Sequence, residues 1–145
     1  MPIQHIKPAA AKKLIDSNQG WTYVDVRTVE EYQANHATGA CNIPFAVRDA
    51  MGRMTLNPEF AAVMKKCFAA DAKLVLGCAS GVRSLRACEL LESQGFTSLA
   101  NLQCGFMGSR DEMGQVVEPG WMGCGFPCES AAPKERTYAE MRTRK

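Results

Sequence analysis

The stretch KLVLGCASGVRSLRACELLESQG (residues 73–95) carries a strand, a short loop and a helix in immediate succession. Residues 73–77 form a short apolar run ended by glycine, the pattern of a buried strand. From Ser84 to Gln94, Leu85, Cys88 and Leu91 recur at helical spacing, with Leu90 beside them, and Gly95 closes the helix. The loop between them is Cys78, Ala79, Ser80, Gly81, Val82 and Arg83. In an open parallel sheet, ligands sit beyond the carboxyl ends of strands, which is where Cys78 falls. The first amides of the following helix have no partner within it and make its start an anion-receiving site. Ala79 and Ser80 are small, and Gly81 can adopt backbone angles closed to other residues, so successive amides can turn inward as a nest. Arg83 adds a permanent cation. An ordinary cysteine titrates at about 8.5, but at helix starts and beside cations the value falls to roughly 3.5–7.5. The thiolate is the nucleophile, and it can take a sulfane sulfur and hold it as a persulfide. The competing reading, a buried cysteine at a strand end, accounts for the cysteine but not for the loop and the arginine.

Outward from this block, strands and helices alternate. Residues 3–6 read as a first strand, and Pro8 opens a helix that Asn18-Gln19-Gly20 ends. WTYVDV (21–26) reads as a buried strand. Thr28 with Glu31 three residues later is a capping box for a short helix. Residues 38–45 form a turn with an extended exit, and 46–57 a loop holding Arg48 and Arg53. Asn57 caps a helix with Pro58 at its first position and Phe60, Val63, Met64, Cys67 and Phe68 on one apolar face. FTSLANL (96–102) supplies a further strand. The alternation predicts an α/β, three-layer domain with a mostly parallel sheet and helices on both faces. Residues 105–125 hold six glycines and read as a loop lying on the domain. The basic tail, 129–145, reads as a solvated, frayed end or short helix, with a docking segment as the minority view. No internal repeat is expected.

At 145 residues the chain suits one domain with its own core. Seventeen basic and fifteen acidic side chains leave a net charge of +2, too balanced for nucleic acid as the main partner. No apolar run suits a membrane span, and MPIQHIKPAA has no hydrophobic signal core, so secretion is not expected. Seven irregularly spaced cysteines are not a disulfide framework, and a reducing compartment fits them better.

Two blocks, taken together, resemble the rhodanese family of sulfurtransferases in its single-domain form. CASGVRS (78–84) is similar to the family's active-site loop. VDVRTVEEYQANHATGACNIP (24–44) is similar to its early signature, an acidic-Arg pair, a Glu-rich short helix, a His and a Gly-Ala-x-Asn-Ile-Pro turn. With CGF (104–106) and GFP (125–127) the likeness covers roughly 3–127, and GRMTLNPEF (52–60) is especially like plant-plastid and related bacterial members. The resemblance implies a five-stranded parallel sheet and a single domain over 1–128. It implies transfer of sulfane sulfur from thiosulfate or a persulfide donor to a thiophilic acceptor through a Cys78 persulfide. The alternatives are a non-turnover persulfide carrier and a regulatory docking module of the same fold. Cys78 carries over as the nucleophile, and Ala79, Ser80, Gly81, Val82, Arg83 and Ser84 as the persulfide cradle. Asp25 and Arg27 carry over as loop support and His36 as a structural histidine. Related cysteine phosphatases place five residues between Cys and Arg. The four here suit a single sulfur better than a tetrahedral oxyanion.

The chain departs from the family in a Gly-rich insertion at about 107–120. Cys124 and Cys128 lie just beyond it. They read as incidental thiols, as a relay pair taking sulfur from Cys78, or as half a metal site, and the poor placement of His5 and His36 makes the metal reading the weakest. No metal or cofactor is expected. Cys67, Cys88 and Cys104 read as core thiols and Cys41 as part of a structural turn. Arg48, Arg53 and Arg86 are candidate anion contacts, though each is also readable as solvated charge. The expected partners are small sulfur donors, thiol acceptors and a protein sulfur acceptor, with no nucleic acid and no membrane. The expected setting is the cytoplasm, with the plastid stroma as the alternative.

Overall fold

The structure is a computed structural model that describes residues 3–130 and 134–143; residues 131–133, 144 and 145 of the expected tail lie outside them. In chain order the elements are β1 (Gln4–Ile6), α1 (Pro8–Asp16), β2 (Thr22–Asp25), α2 (Val29–Ala34), β3 (His36–Ala37), β4 (Cys41–Asn42), β5 (Ala46–Arg48) and β6 (Met54–Leu56). They continue with α3 (Phe60–Cys67), β7 (Leu74–Gly77), α4 (Val82–Ser93), β8 (Leu99–Leu102), β9 (Ser109–Arg110), β10 (Val116–Glu118) and β11 (Cys128–Glu129). A 3-10 turn (Lys134–Arg136) and α5 (Tyr138–Met141) follow.

Five strands form a parallel sheet, as the resemblance implies, and their order is β1-β8-β7-β2-β4. Alternate side chains of each strand point to opposite faces, so each strand feeds two cores. Val24, Leu74, Leu76 and Leu99 pack with Phe60, Val63 and Met64 of α3 and Ala87, Cys88 and Leu91 of α4. Tyr23, Val75, Ala100 and Leu102 pack with Ala11 of α1, Tyr32 of α2 and Trp121. The sheet is thus covered on both faces, and its carboxyl ends carry the loops that matter for function.

Several expectations are corrected. Residues 46–57 are not a plain loop: β5 and β6 pair as an antiparallel hairpin. The Gly-rich stretch after Gly105 holds a second hairpin, β9–β10. Helix α3 starts at Phe60 rather than Pro58, because Asn57 closes a turn first, its Oδ1 accepting from the Glu59 amide at 3.1 Å and its carbonyl from Phe60 at 3.1 Å. Helix α4 starts at Val82, two residues earlier than its apolar stripe suggests, with Gly81 as its N-cap.

The described part of the tail, 134–143, forms the short helix expected as one reading and is docked on the domain rather than solvated. Met141 is 1% exposed and belongs to the core on the α3 and α4 face. The Tyr138 hydroxyl accepts from Asn57 Nδ2 at 3.0 Å, and Arg136 pairs with Glu129 at 3.0 Å. One methionine in a basic segment gives no helical stripe, so the sequence does not reveal the docking.

Candidate active site

Cys78 follows β7 directly and is only 1% exposed. The amide of Gly81 donates to its Sγ at 3.0 Å, and the Ser84 hydroxyl lies 3.5 Å from the same sulfur. Gly81 is required here: its φ of +105° is left-handed, and a Cβ would stand 3.3 Å from the Leu102 carbonyl. The loop is braced from outside by the next strand's exit. The amides of Phe106 and Met107 donate to the carbonyls of Cys78 and Ala79, each at 2.8 Å. That approach leaves no room at Gly105, where a Cβ would stand 2.4 Å from the Cys78 carbonyl oxygen.

Arg83 does not bond to the sulfur. Its guanidinium forms a two-point pair with Glu31, at 2.8 and 3.1 Å. Glu31 also completes the capping box of α2 with Thr28, at 3.1 and 3.2 Å. Burial pushes the Glu31 carboxyl up, but the hydrogen bonds from Arg83 and the Thr28 amide outweigh it and hold it at about 2. Glu31 also holds Arg83 firmly protonated. The carboxylate therefore ties the first turn of α4 to the first turn of α2. The sequence shows Glu31 as a cap alone. Its second role follows from topology: the loops after β2 and β7 meet because the two strands are neighbours in the sheet.

The remaining residues sort by position. Asp25 and Arg27, both buried, pair at 2.8 Å, and Arg27 also donates to the Asn35 carbonyl at 2.6 Å and lies 4.5 Å from the centre of the Phe106 ring. This cluster fixes the end of β2 against the segment that braces the Cys78 loop. Fully buried His36 bonds to the Tyr32 carbonyl at 2.7 Å and to Glu129 at 3.1 Å, within a cluster that also ties down β11. Arg48 caps its own hairpin turn by donating to the Gly52 carbonyl at 2.9 Å; Arg86 is exposed and lines a groove beside the loop.

The thiols separate too. Cys88 is core, and burial pushes it up to about 12. Cys104 is buried, as expected of a core thiol, but its φ of 68° is left-handed and its edge lines the groove of about 530 Å³ beside Ser80 and Gly81, its Sγ 3.9 Å from Glu118. Cys124 is exposed. Cys128 packs beside the core on the α1 face, whereas Cys78 belongs to the core on the other face. Among the described residues no group of His, Cys, Asp and Glu is placed to hold a metal.

Two further features escaped the sequence reading. The hairpins that flank the Cys78 loop share one turn: Arg-Asp-x-Met-Gly at 48–52 and again at 110–114. Asp49 Oδ1 accepts from the amides of Met51 and Arg53, and Asp111 Oδ1 from those of Met113 and Gln115, at 2.9 to 3.0 Å. Arg110 donates to the Gly114 carbonyl at 2.8 Å, as Arg48 does to Gly52. The five-residue repeat is the signal that would have revealed both turns. The second feature is the buried pair of Ser84 and Asn101 behind the sulfur.

A strand that delivers a cysteine into a loop closed by Gly81 and a helix start defines a class of α/β domains with a single thiol at the carboxyl end of the sheet. The chain matches the Rhodanese-like domain family over residues 7–112 and belongs to that family. It is 41% identical over 100 residues to Rhodanese-like domain-containing protein 17 of Arabidopsis thaliana, covering 67% of this chain and 62% of that one. It is 39% identical over 87 residues to Thiosulfate sulfurtransferase 16, chloroplastic, of the same plant, covering 60% of this chain and 72% of that one. It is 36% identical over 107 residues to Putative sulfurtransferase YtwF of Bacillus subtilis, covering 74% of this chain and 90% of that one. Against other curated relatives it spans about half their length, 51% and 48%. The crystal structure of Rv0390 from M. tuberculosis has the same fold, with a TM-score of 0.74 at 24% identity over 90% of this chain and 100% of that one. The family is of sulfurtransferase type.

Proposed function

We propose that the chain moves sulfane sulfur from thiosulfate or a persulfide donor to a thiol acceptor, with Cys78 as the carrier. The observation that carries this reading is the Gly81 amide aimed at Cys78 Sγ at 3.0 Å, at the start of a twelve-residue helix. Donors so placed favour negative charge on sulfur. With thiosulfate, the Cys78 thiolate attacks the outer sulfur, a new S–S bond forms, and sulfite leaves with the electron pair of the broken bond. An acceptor thiolate then attacks the outer sulfur of the persulfide. The acceptor keeps that sulfur and Cys78 is released as the thiolate. No redox partner is needed, because the sulfane sulfur changes hands without net oxidation. Ser80, Gly81 and Val82 line the approach, and Ala79, Arg83 and Ser84 hold the loop around it. A reducing compartment such as the cytoplasm or plastid stroma supplies the thiol acceptors, small or protein-borne.

Intact mass after thiosulfate treatment tests the proposal. The expected result is one added sulfur atom on the wild type and none on a folded Cys78→Ser variant. Persistence of the adduct in that variant would assign the chemistry to another thiol. Turnover of thiosulfate with cyanide or glutathione separates an enzyme from a carrier that loads but does not turn over.

A further inference from the structure

Ser84 has one hydroxyl proton and two neighbours that compete for it. Its Oγ lies 2.6 Å from Asn101 Oδ1 and 3.5 Å from Cys78 Sγ. Ser84 is fully buried and Asn101 is 3% exposed, so water does not settle the competition. At these distances the proton belongs to Asn101, and the sulfur faces the hydroxyl oxygen's lone pairs. That arrangement serves a neutral thiol, whose S–H can donate to Ser84. It opposes an anion, which needs a donor there. The amide nitrogen of Asn101 has no protein acceptor among the described residues, and Asn101 lines the groove beside Gly81. A half-turn of the amide would bring this nitrogen to Ser84 as a donor and release the hydroxyl proton to the sulfur.

We propose that Asn101 is a positioning residue for Cys78, acting through Ser84 to switch the hydroxyl between accepting from the neutral thiol and donating to the sulfur anion. The proposal rests on Cys78 being the reacting sulfur. When Cys78 ionises, its proton leaves to water, and none passes through the amide. In the anion the chain reads Asn101 N–H to Ser84 Oγ, then Ser84 O–H to Cys78 sulfur. Once Cys78 carries the outer sulfur, its own Sγ is no longer the charged atom, and the hydroxyl returns to the Asn101 oxygen. The amide side chain therefore turns once per half-reaction.

Alkylation of Cys78 by iodoacetamide at neutral pH, followed by peptide mass mapping, tests this without any sulfur donor. Asn101→Asp preserves shape, but its carboxylate only accepts. Alkylation is expected to slow about ten-fold, the scale of one charge-assisted hydrogen bond. Ser84→Ala is expected to slow it similarly, and Ser84→Thr, which keeps the hydroxyl, to restore it. The decisive measurement is the double variant S84A/N101D, in which the aspartate should cause no further loss. An equal loss from Asn101→Asp with or without Ser84 would mean direct charge repulsion and overturn the proposal, as would an unchanged rate in Ser84→Ala. If alkylation behaves as expected but no sulfur adduct forms, the sulfurtransferase reading fails and the positioning role stands.

Discussion

Arg83 and Glu31 meet head to head at 2.8 and 3.1 Å, so the loop's only arginine holds a neighbouring helix rather than the sulfur. The cation that a linear reading assigns to the substrate is thus a tether. It sets the position of the helix start whose N-cap amide, that of Gly81, donates to Cys78.

Glu31→Gln isolates that tether, because glutamine can still serve the capping box. The variant should lose about 1 kcal/mol at neutral pH, roughly 3 °C in Tm. Glu31 sits below its ordinary value of 4.5, at about 2, so its ionised form is favoured in the folded state. Its contribution is complete above pH 4.5 and is lost as pH falls toward 2. Melting curves of both proteins across that range should converge at the acid end; parallel curves would show that the pair contributes nothing.

Gly81→Ala forces a side chain into a left-handed backbone beside the Leu102 carbonyl. The expected cost is about 1–2 kcal/mol. The larger effect should be on Cys78, since relief of the strain carries the donating amide away from sulfur. Both thermal melting and alkylation of Cys78 should report it. Wild-type values in both would remove Gly81 from the cradle.

Met141→Ala empties a buried site on the α3 and α4 face. The change should cost about 2–3 kcal/mol and lower Tm by roughly 6–10 °C. A drop under about 2 °C would mean that α5 docks without supporting the core.

The thiols should react in a fixed order. Exposed Cys124 should be alkylated first, and Cys88, held up at about 12 by burial, only after denaturant is added. Time-resolved peptide mapping gives the order, and early labelling of Cys88 would contradict its place in the core.

What the sequence discloses follows from how local each signal is. The Cys78 loop, the Thr28 capping box and the Asp25–Arg27 pair are each written within a few residues; the structure has the capping box and the pair as read, and in the loop one amide, that of Gly81, reaches the sulfur while Arg83 turns to Glu31. Glu31 and Arg83 lie 52 positions apart, and only the strand order brings them together. The two hairpins are hard to read because their strands are only two or three residues long and β6 and β10 are exposed, which leaves turn chemistry as the clearest clue. Asn101 reads as one polar residue inside the apolar strand β8, and nothing adjacent in sequence names Ser84 as its partner. Cys104 looks apolar by context and is buried, but nothing local shows that its backbone turns left-handed just after β8.

The twin hairpins stand on either side of Val82, one continuing from β4 and one from β8. Their turns match, but their charges do not. The first bank carries two arginines against one aspartate, and the second carries one arginine against three carboxylates. Even with Lys7 paired to Glu118, the first bank stays net positive and the second net negative, so a field runs from bank to bank across Val82. Screening confines that field to about 8 Å at physiological salt, so it can orient a dipolar guest on arrival but cannot summon one from afar.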